Sequence, residues 1–431
     1  MKEELLKELN DAQKRAVQSD SSQALILAGA GSGKTKVLVH RIAWYLHTGQ
    51  SLDRGILAVT FTNKAASEMK FRIQRLISRS VEAMWVGTFH GIAHRLLRIH
   101  WKEARLSESF QIIDSDDQLR VIRRVMRDLE IENAGWSAKD AQSKINGWKE
   151  KGHRADQVAV LNDRSEDILR KVYLEYEEIC DRSSLVDFTE LLLRVHDLWR
   201  SCPTIMESYK ERFRHVLVDE FQDTNRLQYT WLKMLVGRRG SLFVVGDDDQ
   251  SIYSWRGAKV ENMQLFRKDY PQHEIVRLEQ NYRSTSTILE AANSLISNNS
   301  SRIGKRLWTN STEGEKIKLY AAYNELDEAR YVVDTIKSSF DKGLNLSNHA
   351  ILYRVSAQSR VLEDALRENG VNYRVYGGFR FYERSEIKDV VAYLRLIYSR
   401  EDDAAFERVI NFPPRGIGLK SMEGIRRHAR E

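Results

Sequence analysis

Residues 24–35 restrict the fold of this chain more than any other stretch. Ala24-Leu25-Ile26-Leu27 is an apolar run of strand length. It feeds the turn Ala28-Gly29-Ala30-Gly31-Ser32-Gly33, which ends in Lys34-Thr35. A helical pattern follows, with Val37, Leu38, Ile42 and Leu46 on one side. Strand, glycine-rich turn, Lys-Thr and helix together predict the phosphate-binding loop of a nucleoside triphosphatase. Gly29, Gly31 and Gly33 let backbone N–H groups turn inward without Cβ clashes. Those amides and the positive end of the helix dipole cradle phosphate oxygens. Lys34 reaches the β- and γ-phosphates, and the Thr35 hydroxyl binds Mg²⁺. The strict pattern asks for Gly at position 28, where this chain has Ala. One methyl is a mild departure, because Gly33-Lys34-Thr35 is intact. A flexible Gly/Ser turn is the plainer alternative; strand, Lys-Thr and helix all in place weigh against it.

The length, 431 residues, allows about three domains at ~150 residues each. Lys and Arg exceed Asp and Glu by 68 to 61, a formal +7. That excess is compatible with a polyanionic partner without proving one. Cys180 and Cys202 are the only cysteines, too few for a disulfide framework or a metal-ligand cluster, and they suit a reducing cytosol. No run approaches ~18 consecutive apolar residues, so no membrane span is expected. Met1-Lys2-Glu3-Glu4 lacks the apolar core of a signal peptide.

Further along, Ile56 to Phe61 reads as a strand, with Thr62-Asn63 as the cap of the next helix. Met84 to His90 repeats the theme. Between about residues 95 and 212 the pattern is helical, as in 117–129 and 166–180, and reads as an insertion whose Trp and Leu residues are core. His215-Val216-Leu217-Val218 then runs into Asp219-Glu220-Phe221-Gln222-Asp223, and Ser241 to Val245 runs into Gly246-Asp247-Asp248-Asp249-Gln250. An apolar strand, polar chemistry at its carboxyl end, then a helix is how an open parallel α/β sheet builds a site along one edge. After Gln280-Asn281-Tyr282-Arg283-Ser284 a second α/β pattern begins. Residues 316–321 alternate like a strand, 325–339 read as helix, and 349–353 read as another strand. No glycine-rich loop follows any strand of this half. The expected domains are therefore 1–284 and 285–431. Residues 421–431 form a basic helical pattern.

Hydrolysis needs a metal holder and a base. Asp219 is expected to hold Mg²⁺ and Glu220 to take the proton of the attacking water. Gln250 is placed to sense the γ-phosphate, and Arg283 to clamp transition-state charge as an arginine finger does. Tyr282 can stack on the base. Gln13 carries both a donor and an acceptor, matching the N6/N7 edge of adenine; on its own it reads as a surface helix residue, and its distance from the phosphate loop is what raises it. Phe61, Phe89, Tyr253 and Trp255 lie just past strand ends, near Lys64, His90 and Arg256. Rings for stacking and basic groups for backbone suit a single strand. Closing the core is an equal alternative for each ring except Trp255, which stands between Ser254 and Arg256. His90 has no partner at metal spacing, so a ligand role is rejected.

These stretches together resemble superfamily 1 DNA helicases of the UvrD/Rep/PcrA group. Residues 28–35 look like that family's first motif, where Ala at position 28 is usual. Leu9-Asn10 with Gln13 looks like its adenine-reading motif. Residues 60–66 and Gly87-Thr88-Phe89-His90 look like DNA-contacting motifs, which implies Thr62, Asn63, Thr88 and His90 as DNA contacts. Residues 219–224 are similar to its Mg²⁺/water motif, and 245–258 to its coupling motif. Asn281-Tyr282-Arg283-Ser284 matches the motif whose Arg contacts the γ-phosphate and whose Tyr stacks on adenine. Leu352-Tyr353-Arg354 and residues 376–383 look like later motifs, with Arg354 on DNA. Lys36, Ser254 and Val355-Ser356 depart from the common pattern without removing a named catalytic group.

The resemblance implies a RecA-like domain with a helical insertion, followed by the first part of a second RecA-like domain. It implies ATP and Mg²⁺, and unwinding with 3′→5′ polarity on single-stranded and duplex-junction DNA. Excision and mismatch repair in a bacterial cytoplasm is the implied setting, at the nucleoid, with repair proteins or a second copy as partners. The family's Ser-Ala-Lys-Gly-Leu-Glu motif and a second catalytic Arg are missing, so the chain reads as C-terminally truncated. A non-unwinding fragment that binds nucleotide and single-stranded DNA is the rival expectation. A nuclease subunit needs a metal-carboxylate module that is not found.

Overall fold

The computed structural model describes all residues except 1, 79, 132–134, 159–163, 238–239, 300–301, 377–383, 399, 401, 419–420, 423, 426–427 and 429–431. The chain divides into two compact units, Met1–Glu315 and Lys316–Glu431.

The first unit is built on six parallel strands in the order β3-β2-β6-β7-β1-β8. They are β1 (Gln23–Ala28), β2 (Ile56–Thr60), β3 (Trp85–Thr88), β6 (His215–Val218), β7 (Ser241–Gly246) and β8 (Glu274–Leu278). Parallel strands covered on both faces need continuous apolar runs, and Leu25, Ile26, Val216 and Leu217 are all buried. Successive side chains alternate between two cores. Leu25, Leu27, Val216, Val218 and Val244 pack with Trp199 and Trp231. Ile26, Ala58, Leu217, Phe243 and Val245 pack with Val37, Leu38 and Ile42 of the helix Lys34–His47.

Strand β8 has no counterpart among the expected strands. It is an edge strand with one neighbour, so Arg277 is tolerated within it and breaks the apolar signal. Between the helix Phe89–Ile99 and β6 lies the expected helical insertion, with helices Ser115–Asp128, Ala138–Glu150, Arg164–Arg182, Phe188–Ser201 and Pro203–Arg212. It also carries a short parallel pair, β4 (Gln111–Ile112) with β5 (Leu185–Val186). Its interior holds an ion network. Buried Lys149 lies 2.7 Å from Asp187 and 3.0 Å from Glu190, and Arg154 lies 2.8 Å from Glu190 and 2.9 Å from Glu177.

The compact division at 315/316 falls beyond the expected 284/285. The reason is local: residues 285–315 pack back on the first unit, with Asn281 N–H donating to Trp308 C=O at 2.7 Å and Arg302 donating to both carboxylate oxygens of Asp249 at 2.7 Å.

The second unit has helices Glu325–Asp341, Ser359–Glu368, Ser385–Tyr398 and Asp403–Val409. The helix expected over 325–339 is present; the strands expected over 316–321 and 349–353 are not. Among the described residues neither segment has a ladder partner, and Leu319 and Leu352 are 97% and 90% exposed. Gly377 to Glu383 of the later motif, and most of 421–431, lie outside the described residues.

Candidate nucleotide site and DNA face

At the carboxyl end of β1 the chain turns through the glycine-rich loop. Gly31 and Gly33 take positive φ of 68° and 90°, which favour glycine. The loop closes on itself through Ser32 Oγ, which donates to Gly29 C=O at 2.8 Å. A Cβ on Gly31 would fall 2.6 Å from Arg283 Cβ, and one on Gly33 2.8 Å from Gln13 Nε2. The loop is thus hemmed in by two other predicted site residues. Ala28 closes β1, and Ala30 C=O accepts from Asn281 Nδ2 at 2.6 Å. Lys34 opens the next helix and Thr35 follows it. The Lys34 ammonium is 3.3 Å from Glu220 Oε2, yet it is buried with no aligned hydrogen bond.

Gln13 is buried and committed to the loop. Its Nε2 donates to Ser32 C=O at 2.9 Å, while its Oε1 accepts from Asn10 N–H at 3.1 Å in a capping box. Residues 280–284 are stitched to the same loop: Tyr282 N–H donates to Gly31 C=O at 2.9 Å, and Asn281 Oδ1 accepts from the Arg283 and Ser284 amides. The Tyr282 hydroxyl accepts from Asn10 Nδ2 at 2.7 Å, and its ring is exposed. The Arg283 side chain is exposed and has no ion pair among the described residues.

Facing Lys34 is an acidic group at the end of β6. Glu220 sits in the left-handed region at φ 49°, ψ 48°. Its Oε2 accepts from Gln222 Nε2 at 2.8 Å. Burial, and then the Glu220 charge, push Asp219 up to about 7 and Asp223 up to about 6. Carboxylates gathered this closely want more positive charge than Lys34 alone provides. A buried ammonium without a hydrogen bond, a glycine cradle and under-neutralised acids fit a nucleoside triphosphate with Mg²⁺. Thr35 and Asp219 would be the residues to hold the metal.

The link to the next strand runs through Gln222, whose Oε1 accepts from Asp247 N–H at 2.9 Å. Asp247 in turn accepts from Gln250 Nε2. Sequence reasoning named Gln222 and Asn281 only inside longer motifs and gave neither a role. An amide beside a predicted base and an Asn beside a predicted Arg were the available signals.

A second surface carries the rings. Phe61 and Tyr253 stack with centroids 5.0 Å apart, and Tyr253 and Trp255 lie 6.3 Å apart. Trp255 is 68% exposed. Phe89, by contrast, is buried against Trp231 and belongs to the core. Thr62 and Thr88 are helix caps, accepting from Ala65 N–H and Gly91 N–H at 3.1 Å each; Asn63 starts the first of those helices. His90 meets Phe188 edge to face at 6.0 Å, and burial lowers its pKa. Phe188, half-exposed and unforeseen, opens the helix that Asp187 caps. Arg256 ends the short turn after Tyr253, and its side chain lies outside the described residues. Arg354 is exposed in the second unit.

A parallel sheet with this loop at the end of an interior strand and paired acids two strands away defines a P-loop domain of the RecA type. Residues 9–271 match the UvrD/REP helicase N-terminal domain, and residues 276–431 match the UvrD-like helicase C-terminal domain. The chain belongs to the UvrD-like helicase family. It is 55% identical over 427 residues to DNA helicase II of Escherichia coli (strain K12), covering 99% of this chain and 59% of that protein. Identity to DNA helicase II of Haemophilus influenzae is 51% over 432 residues, again 99% and 59%. Identity to the ATP-dependent DNA helicase PcrA of Staphylococcus aureus (strain Mu50 / ATCC 700699) is 42% over 426 residues, covering 99% of this chain and 58% of PcrA. The chain thus spans somewhat under three fifths of these curated relatives. Among the described residues no helix is long and apolar enough to cross a membrane.

Proposed function

We propose that this chain is the ATP- and Mg²⁺-dependent motor portion of a 3′→5′ DNA helicase or translocase serving DNA repair. The observation that carries the reading is the buried Lys34 ammonium, without a hydrogen bond, 3.3 Å from the Glu220 carboxylate. Lys34 takes phosphate oxygens, and the loop amides of residues 29–35 share the charge. Glu220 accepts the proton of the attacking water, and Gln222 holds that carboxylate in place. Thr35 and Asp219 would hold Mg²⁺, which would supply charge neutralisation on the phosphates. Arg283 clamps the developing charge, Gln250 senses the γ-phosphate, and Tyr282 with Gln13 receives adenine.

Phe61, Tyr253 and Trp255 offer ring faces to successive bases of a single strand or a duplex junction. Thr62, Asn63, Thr88, His90 and Arg256 contact its backbone, and Arg354 is a separate proposed DNA contact on the second unit. Repair proteins and a second copy are the proposed partners, at the nucleoid in a bacterial cytoplasm. The test is ATP hydrolysis by the 431-residue chain with and without single-stranded DNA. Glu220→Gln is expected to lower turnover by roughly 10²–10⁴-fold; undiminished turnover removes Glu220 from the base role.

A second reading is a fragment that binds nucleotide and DNA without unwinding. It is favoured by the unladdered segments 316–321 and 349–353. Strand separation by the purified chain would rule it out.

A further inference from the structure

Three consecutive acids follow β7, and their carboxylate oxygens gather within 4.8 Å of one another. Charges of one sign packed this tightly need a cation or must protonate. The cation is already in the chain. Lys305 Nζ lies 2.6 Å from Asp247 Oδ1, 2.6 Å from Asp248 Oδ1 and 2.9 Å from Asp249 Oδ2, on a side chain only 2% exposed. Arg302 grips Asp249 with two parallel bonds of 2.7 Å, and Ile303 N–H donates to Asp248 Oδ2 at 2.8 Å. Residues 302–305 therefore occupy the place a metal ion would take.

From Asp247 an unbroken line of contacts leads to the nucleotide site. Its other carboxylate oxygen accepts from Gln250 Nε2, and its amide donates to Gln222 Oε1. Gln222 donates to Glu220 Oε2, which faces Lys34. The same segment reaches the other side of the pocket. Leu307 packs so close to Gly29 that a Cβ there would lie 2.1 Å from its Cδ2, and Trp308 N–H donates to Glu279 C=O at 3.1 Å. Chain continuity then leads to the second unit at Lys316.

We infer that Lys305 is a positioning residue for the hydrolytic step: it fixes Asp247, and through Asp247 sets Gln250 and the Glu220 carboxylate. The inference rests on the hydrolase reading above. It predicts a turnover effect without a binding effect, because no atom of Lys305 is assigned to nucleotide.

The experiment uses the 431-residue chain and its variants Lys305→Met, Lys305→Arg and the charge-balanced Lys305→Met/Asp248→Asn. The double variant removes one charge of each sign and guards against a single variant that does not fold. In whichever Met variant folds, kcat for DNA-stimulated ATP hydrolysis is expected to fall by roughly 10–100-fold, with KM for ATP within about twofold of the starting chain. Lys305→Arg restores most of the rate. Amide exchange is expected to speed up in residues 218–224 as well as in 246–250. An unchanged kcat, a change confined to KM, or faster exchange confined to 246–250 would overturn the inference. If the starting chain shows no turnover, the hydrolase reading fails, and the exchange of 218–224 alone decides whether Lys305 reaches Glu220.

Discussion

The two units carry similar strand-like sequence and reach different ends. In the first, Leu217 sits at the centre of β6, hydrogen-bonded into strands on both sides and buried against Val37 and Phe243. In the second, Leu319 stands in an alternating run and Leu352 in an apolar one, yet both lie almost wholly in solvent, with no ladder among the described residues. A strand-like pattern states which residues can be buried; it does not supply the neighbour that makes the strand. The chemistry follows the same division. Lys34, Asp219, Glu220 and Gln250 come together because β1, β6 and β7 end in register at one edge.

The comparison breaks most cleanly on a matched pair of substitutions. Leu217→Ala is expected to cost about 2–5 kcal/mol in chemical denaturation, as a large-to-small change in a closed core does. Leu319→Ala should stay within about 0.5 kcal/mol. Equal costs would mean that the second unit buries its strand-like segments after all.

Next in size, Lys34→Met is expected to weaken nucleotide binding by about 1.5–3 kcal/mol, read by titration calorimetry, because it removes a charged donor. Retained affinity would move the phosphates away from the first unit's sheet edge. Trp255→Ala should weaken single-strand binding by about 1–3 kcal/mol, read by fluorescence anisotropy. An unaffected strand would assign the exposed ring to some other surface.

The smallest effect sharpens the picture of the first sheet. His215 lies 3.9 Å from the Tyr45 ring, and burial is the first cause of its lowered pKa. Below the ordinary value of ~6.5, the unfolded chain takes up a proton that the fold resists. Stability is thus full above that value and falls as the pH drops through it. His215→Phe keeps the ring contact and removes the proton. The drop in Tm between about pH 7.5 and about pH 5.5 should narrow slightly; an unchanged drop would assign the acid sensitivity elsewhere.

What was legible in the sequence is what consecutive residues build. The phosphate loop, its strand and its helix are one local run, and the acids after β6 announce themselves by following Val216-Leu217-Val218. The helical insertion was legible by periodicity. What was hidden depends on residues far apart in the chain. Lys305 meets Asp248 across 57 positions, and neither looks unusual alone. Phe188 is an ordinary helix-start residue until the fold sets it against His90. Strand β8 was masked because an edge position admits Glu274 and Arg277. Phe89 shows the reverse: its place after a strand left stacking and core closure both open, and packing against Trp231 puts it in the core.

One backbone angle carries a wider lesson. Glu220 holds a conformation that glycine adopts freely and that a residue with Cβ pays for with about 1–2 kcal/mol. Selection for heat resistance alone would place glycine there, relax the strain, and leave a sturdier molecule with no carboxylate at the position proposed for the base. On the proposed reading, durability and turnover pull in opposite directions at this single position, so a stabilised descendant of the chain has to gain its robustness somewhere else.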